Sequence, residues 1–370
     1  MKKVLVVGMT HNPGGLESCI MNYIGRIDPN KIVFDFLCST KTIAYSGEIR
    51  KRKGMIFHID SKSKNPLTYR KQIRNFFKNN SNNYDAIWVN MNSITNLDYL
   101  KMAKKFGIKT RIIHSHNSAS MYVGIRKMLH RINKVFIKKY ATDFWACSEA
   151  AGKWFYNNKI IHSDSFKIIH NAIDTDKYKF SSVERSSIRN KYNIDDSSIL
   201  IGHVGRFTPQ KNHERVLSIF SKLLNENSNY MLMLVGDGEL KEKIESMAVK
   251  AKIRNKIIFT GTVSDTHKYF SAMDYFVLPS LFEGLPVVSI EAQCSGLRTF
   301  ASTNVPEEAC ATDLLSLIDL NNSDDEWANY ITSTKPTDSK ERQKYNKIVS
   351  KSTYNINTES KALETFFLER

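Results

Sequence analysis

The feature that most constrains this chain is an alternation of short apolar, β-branched-rich runs with longer polar stretches of helical period. Seven runs open it: KVLVVG (3–8), IVFDFLC (32–38), MIFHI (55–59), DAIWVN (85–90), TRIIHSH (110–116), DFWACS (143–148) and FKIIHN (166–171). A second series follows: SSILIGHVG (197–205), YMLMLVG (230–236), KIIFTG (256–261), YFVLPS (275–280) and LRTFAS (297–302). Such short, nearly continuous apolar runs read as strands buried on both faces. Strands of that kind alternating with helices imply an α/β chain with doubly wound parallel sheets. Two series predict two Rossmann-like domains, and 370 residues is comfortable for two cores. The polar stretch after NAIDTDKYKF (171–180) sets the boundary: an N-terminal domain over 1–178 and a C-terminal domain over 179–352. A last helical segment occupies 353–370, carried by TESKALETFFLER (358–370).

No run of 18 or more apolar residues exists, so no helix is expected to span a membrane. The start, MKKVLVVGMTHNPGG, looks like a signal peptide, but its apolar run stops at Met9 without a cleavage-type ending and reads as a first strand. Five cysteines, odd in number and without a C-x-x-C pair, point to free thiols in a reducing cytoplasm rather than a disulfide frame or zinc site. Charge is distributed unevenly. Residues 1–178 hold 30 Lys+Arg and 12 Asp+Glu, a balance of +18, leaving 24 and 25 for the remainder. A basic half suits a polyanionic partner: anionic lipid, nucleic acid or a phosphorylated acceptor. Against nucleic acid, the chain has neither the aromatic–glycine stacking signatures of RNA modules nor zinc-finger spacing. The clearest amphipathic stretch is GIRKMLHRINKVFIKKY (124–140). Its apolar stripe is expected to pack into the core, with a membrane-surface helix as the other reading. A stripe packed inward with its basic side toward anionic lipid satisfies both.

Several loops carry candidate chemistry. In LFEGLPVVSIEA (281–292), Pro286 stands where a helix begins, placing Glu283 in the loop and Glu291 on the helix. Free backbone N–H groups at such a start attract phosphate, and a carboxylate roughly 7–8 Å further along the axis can accept hydrogen bonds from a ribose. Upstream, HVGRFTPQKN (203–212) sets Arg206 and Lys211 just past a strand end, where open parallel sheets bind ligands. Two cations there suit a diphosphate leaving group, although exposed Lys and Arg are usually only solvated. Gly14 and Gly15 follow the first strand and let backbone approach a ligand closely, although a Gly-Gly turn is often merely a turn. His114 and His116 share one face of a strand. No carboxylate or cysteine stands near enough in sequence to make them a metal site. In the segment Gly236-Asp237-Gly238 the glycines permit a tight turn, with Asp237 expected to cap the following helix.

The order HVGRFTPQKN, MLVGDGEL (233–240), IIFTGTV (257–263), LFEGLPVVSIEA resembles the retaining family-4 glycosyltransferases of the GT-B fold. GGLE (14–17), HSHN (114–117) and SEAAG (148–152) fit the bacterial exopolysaccharide and capsule subgroup. The resemblance spans nearly the whole chain. It implies two Rossmann-like domains facing across a cleft, an N-terminal domain for the acceptor, a C-terminal domain for a nucleotide-sugar donor, and a final helix returning to the first domain. By resemblance, Arg206, Lys211 and the helix start at Gly284, Leu285, Pro286 and Val287 hold the diphosphate. Glu283 orients the donor sugar or its phosphate, and Glu291 holds the ribose. Thr262 and Val263 hold the base through backbone atoms, and Gly236 turns the chain beside the donor. Gly14 and Gly15 line the donor phosphate, and His116 stands near the reacting carbon, with His114 in that role if the alignment is displaced. Asp174-Thr175-Asp176 mimics the metal motif of the other major glycosyltransferase fold, but lies in the family's interdomain segment, so no metal or other cofactor is expected there. Ala172 stands where that segment usually has Gly.

The implied reaction moves a hexose or N-acetylhexosamine, with retention, from a donor such as a UDP-sugar to a hydroxyl of a polyprenyl-linked glycan in surface polysaccharide synthesis. It places the protein in the cytoplasm, at the inner face of the plasma membrane. A sugar-nucleotide epimerase on the same fold and a basic nucleic-acid-binding protein are the alternatives. Lys211→Ala and Glu291→Ala are each expected to abolish most transfer without unfolding the protein.

Overall fold

The computed structural model describes residues 1–11, 13–117 and 124–370. The chain forms two compact units, Met1–Ala172 with Ile356–Arg370, and Ile173–Asn355. In the first unit the strands are β1 (Lys2–Val7), β2 (Ile32–Cys38), β3 (Ile56–His58), β4 (Ala86–Met91), β5 (Thr110–Ser115), β6 (Asp143–Ala146) and β7 (Phe166–Ile168). They lie in the order β3-β2-β1-β4-β5-β6-β7, and every pairing is parallel. In the second unit β8 (Ile199–Val204), β9 (Tyr230–Val235), β10 (Ile257–Gly261), β11 (Tyr275–Leu278), β12 (Arg298–Ser302) and β13 (Leu315–Ile318) form the parallel sheet β10-β9-β8-β11-β12-β13. Every apolar run of the sequence becomes a strand. The extra strand, β13, has an exposed Ser316 that interrupts its apolar run.

β2 is buried at all seven positions, including Asp35. A charge survives there because the Asp35 carboxylate accepts from Lys3 Nζ at 3.3 Å, the Tyr84 hydroxyl at 3.1 Å and the Met55 amide at 2.8 Å. The units divide at 172/173 and 355/356, not at 178/179 and 352/353. The Ile173 amide donates to the Tyr354 carbonyl at 2.8 Å, and Ile173 forms a parallel bridge with Asn355. Both crossings of the chain are thereby tied side by side within the second unit. The final helix, Ile356–Glu369, belongs to the first unit's core. Phe366 meets Trp145 edge-on at 5.0 Å and Phe367 meets Phe34 edge-on at 5.7 Å.

The helix Ile125–Phe136 departs from expectation. Its apolar stripe does not enter a core: Ile125 and Val135 are 72% and 69% exposed, and His130 is its buried residue. Among the described residues no helix is long and apolar enough to cross a membrane.

Candidate active site

In each sheet the strand order reverses between two neighbours, β1 and β4 in the first unit and β8 and β11 in the second. Loops leaving the C-terminal ends of such a pair diverge and leave room for a ligand. In the second unit the loop after β8 carries Arg206 and Lys211, and the loop after β11 carries Glu283. Backbone and amide bonds stitch these loops together. Leu281 N donates to the Gln210 carbonyl at 2.9 Å, and Gln210 Nε2 donates to the Phe282 carbonyl at 3.0 Å and to Glu283 Oε2 at 3.2 Å. Asn212, in the left-handed region at φ 53°, donates from Nδ2 to the Pro279 carbonyl at 3.0 Å. The Lys211 ammonium then meets Glu283 Oε1 at 2.6 Å, with Glu283 buried.

Arg206 behaves differently. Its side chain is exposed, so the two cations expected to act alike are a fixed ion pair and a solvated guanidinium. Gly236 draws the loop after β9 against this site. At φ +139°, a Cβ on it would fall 2.1 Å from the Gly205 carbonyl oxygen. Phe207 N donates to the Asp237 carbonyl at 3.0 Å. Asp237 does not cap the following helix, which starts at Lys241; its carboxylate accepts from Gly238 N at 2.7 Å instead. Past β10, Thr262 is exposed and Val263 half-buried.

Gly284, Leu285 and Pro286 are buried and lead into the helix Val287–Cys294. Pro286 is extended (φ −73°, ψ 100°), so it precedes the helix rather than opening it, and no side chain caps the start. The first amides of such a helix have no intrahelical acceptor. Glu291 is half-buried on this helix. Burial pushes its carboxyl up to about 7, opposed by a hydrogen bond from Tyr178 and by the charges of Lys177 and Lys211. The Tyr178 hydroxyl also lies 3.1 Å from Thr266 Oγ1. Sequence reasoning missed Tyr178, Gln210 and Asn212, since no spacing announces a contact across some 70 to 110 residues. It also missed two histidines under Lys211. His203 Nδ1 donates to the Val277 carbonyl at 2.8 Å, leaving Nε2 buried and, among the described residues, unpartnered, as are both nitrogens of His213. Burial pushes these imidazoles down to about 4 and about 2, keeping both neutral beside the ammonium.

In the first unit, Gly14 precedes the helix Gly15–Arg26. Glu17, on the first turn of that helix, is buried and ties the loop down. Its carboxylate accepts from Gly14 N at 3.2 Å, Thr10 N at 3.0 Å and Thr10 Oγ1 at 2.8 Å. Asn12 of that loop lies outside the described residues. His114 and His116 do share a face, with ring centroids 4.0 Å apart. His114 is fully buried, stacked on Trp88, and its Nδ1 accepts from the Trp88 indole at 3.3 Å. His116 Nε2 meets Asn90 Oδ1 at 2.8 Å, while Asn90 Nδ2 donates to the Val7 and Trp88 carbonyls at 3.3 Å. Those donations fix Oδ1 toward His116, so Nε2 carries the proton and Nδ1 is an acceptor without a partner among the described residues. Burial pushes His116 down to about 3 and holds His114 well below the usual imidazole range.

Among the described residues no group of three or more His, Cys, Asp or Glu side chains is placed to hold a metal ion. Of the Asp174-Thr175-Asp176 motif, Asp174 Oδ1 accepts from Lys177 N at 3.3 Å, a turn-forming bond, and the Thr175 carbonyl accepts from Asn346 Nδ2 at 2.6 Å, which ties the segment to the helix Ser339–Ser350. Ala172 is buried without a positive φ, so this turn does not require glycine.

Residues 184–351 match the family model described as "Glycosyl transferases group 1". The chain is 31% identical over 336 residues to EpsF of Bacillus subtilis (strain 168), assigned by name to the glycosyltransferases, covering 89% of this chain and 87% of that protein. It is 30% identical over 151 residues, 39% of this chain and 38% of that protein, to the Escherichia coli UDP-Gal:alpha-D-GlcNAc-diphosphoundecaprenol alpha-1,3-galactosyltransferase. In structure it is similar to Anabaena Alr3699/HepE, solved in complex with UDP and glucose, with a TM-score of 0.80 and 16% identity over 100% of both chains. That likeness gives the fold class, GT-B.

Proposed function

The chain belongs to the group 1 glycosyl transferases, and from that premise we propose that it transfers a hexose or N-acetylhexosamine, with retention, from a UDP-sugar to a hydroxyl of a polyprenyl-linked glycan. The observation that carries the reading is the Lys211–Glu283 pair at a strand-order reversal, beside an uncapped helix start with Glu291 one turn further on. That array matches a diphosphate followed by a ribose. The diphosphoundecaprenol galactosyltransferase and UDP-bound HepE support the donor and the lipid-linked acceptor, and a lipid-linked acceptor fits a role in surface polysaccharide synthesis.

As the bond from the sugar's anomeric carbon to the diphosphate oxygen breaks, its electron pair passes to that oxygen. Lys211, Arg206 and the amides at Val287 and Val288 stabilise the charge. The acceptor hydroxyl attacks on the face of departure, and its proton passes to the departing phosphate. Glu283 presents the Lys211 ammonium and orients the sugar. Glu291 accepts from the ribose hydroxyls, Thr262 and Val263 present backbone to the base, and Gly236 lets the site close up. Protein cations carry the charge, so chelation with EDTA leaves transfer unchanged; loss of activity restored by Mg²⁺ or Mn²⁺ would refute this part. The protein works at the cytoplasmic face of the plasma membrane, with anionic lipid as a partner.

A thermal-shift panel of nucleotide sugars tests the reading. A donor at 100 times its Kd stabilises by about 2.7 kcal/mol, and the best ligand is expected to be a UDP-sugar. No shift with any nucleotide sugar would overturn the proposal.

A further inference from the structure

The helix Ile125–Phe136 is held to its unit by its polar edge. His130 stacks on Trp154 at 4.4 Å, and its Nδ1 lies 3.2 Å from both Ser93 Oγ and Ile94 N. Asn133 Nδ2 donates to the Ile94 carbonyl at 2.8 Å and Lys134 Nζ to the Trp154 carbonyl at 2.7 Å. What points outward is the apolar stripe Ile125, Met128, Leu129, Ile132, Val135 and Phe136, all exposed. Its positions recur at helical spacing, so it is one contiguous surface rather than scattered side chains. Surfaces of this kind mark interaction sites. Lys127, Arg131, Lys138 and Lys139 stand exposed among them.

A second observation lies next to this helix. Lys104 Nζ donates to the Lys139 carbonyl at 2.7 Å, and its neighbour Lys105 lines a concavity of about 740 Å³. The other cations lining it are Arg70, Lys71, Arg74 and Lys78, and no carboxylate does. Arg70, Arg74 and Lys78 stand at i, i+4 and i+8 on the helix Pro66–Asn80, a like-charge row that costs a helix stability unless an anion covers it.

We propose that these two features form one docking surface for an anionic lipid bilayer, with the stripe at the headgroup–acyl boundary and the concavity on lipid phosphates. This deepens the membrane partner proposed above by naming the surface that meets it. Charge decides between occupants. A second copy docked stripe to stripe would bring cation against cation, and nucleic acid would leave the stripe wet. Lipid satisfies both parts.

The test is flotation of the full chain with vesicles of phosphatidylcholine alone or mixed with phosphatidylglycerol. The wild type is expected to float with the mixed vesicles only. Ile125→Ser/Ile132→Ser/Val135→Ser and Arg70→Glu/Arg74→Glu/Lys78→Glu should each lower vesicle affinity, the latter by about fivefold or more per cation. All six residues lie outside the site, so the nucleotide thermal shift and transfer to a water-soluble acceptor stay at wild-type level, reading the glycosyltransferase assignment separately from the docking. A wild type that ignores anionic vesicles, or variants that still float, would overturn the proposal. So would a dimer of the wild type that the serine variant dissolves, or tighter binding to an oligonucleotide than to vesicles.

Discussion

At the scale of single residues, the site rests on two carboxylates in unlike surroundings. Glu283 lies 2.6 Å from the Lys211 ammonium, while the Glu291 carboxyl is pushed by burial up to about 7. A ribose that donates two hydroxyls needs Glu291 ionised, so donor affinity should fall about tenfold for each pH unit below 7. Titration calorimetry with a nucleotide sugar at pH 8 and pH 6 measures this, and Glu291→Gln should bind weakly and without that pH dependence. In the ligand-free fold the same shift acts in reverse: Glu291 contributes stability at low pH that is lost as pH rises between about 4.5 and about 7. Lys211 also needs a revised expectation. Lys211→Ala strands a buried carboxylate, which typically costs about 3–5 kcal/mol, so lost transfer alone would not separate catalysis from stability. Lys211→Met/Glu283→Gln removes both charges and should regain most of the denaturant midpoint while staying inactive. An active double variant would remove the pair from the chemistry.

At the scale of elements, loops rather than strands decide the site. Three loops of the second unit are drawn together by backbone bonds, and Gly236 is a position there with no freedom to change. Gly236→Ala must move the Gly205 carbonyl from a 2.1 Å clash and holds a non-glycine residue at φ +139°, a strain of order 1–3 kcal/mol. We expect a lower melting temperature together with a reduced kcat, because the Lys211 stem lies beside Gly205, 3.1 Å from where a Cβ on that glycine would stand. Unchanged kcat would mean the loop after β9 is only scaffold. The helix Ile125–Phe136 teaches the opposite lesson. Its periodicity was legible, but periodicity states only that one side is apolar. Which side meets the protein was decided by His130 finding Trp154 and Ser93, contacts made by residues far apart in sequence.

At the scale of the whole molecule, the chain passes from the first unit to the second at Ala172 and returns at Ile356. The last 15 residues therefore complete a core begun by the first 172. Phe367→Ala should destabilise by about 3–5 kcal/mol, read as an early loss of Trp88 and Trp145 fluorescence burial, since Phe367 lies within 6.1 Å of both. Four of the five buried histidines, His114 and His116 in one unit and His203 and His213 in the other, are all held neutral by burial. Imidazoles with lowered values lend stability above pH 6.5 that is lost as pH falls toward 4. Four outweigh the single opposing carboxyl, so urea midpoints should drop across that interval. A midpoint that rises on acidification would show that the pairs ionise in place.

The sequence alone determined the twin parallel sheets, because doubly buried strands must be continuously apolar, and it determined where the candidate-site loops fall, because they follow strand ends. It also carried the family resemblance. Only the tertiary structure decided that Lys211 is paired while Arg206 is exposed, that Tyr178 stands at Glu291, and that an amphipathic helix turns its oily side outward. Patterning records what each residue prefers; pairing depends on which distant groups the sheets bring within hydrogen-bonding reach, and that distance is not written in local order.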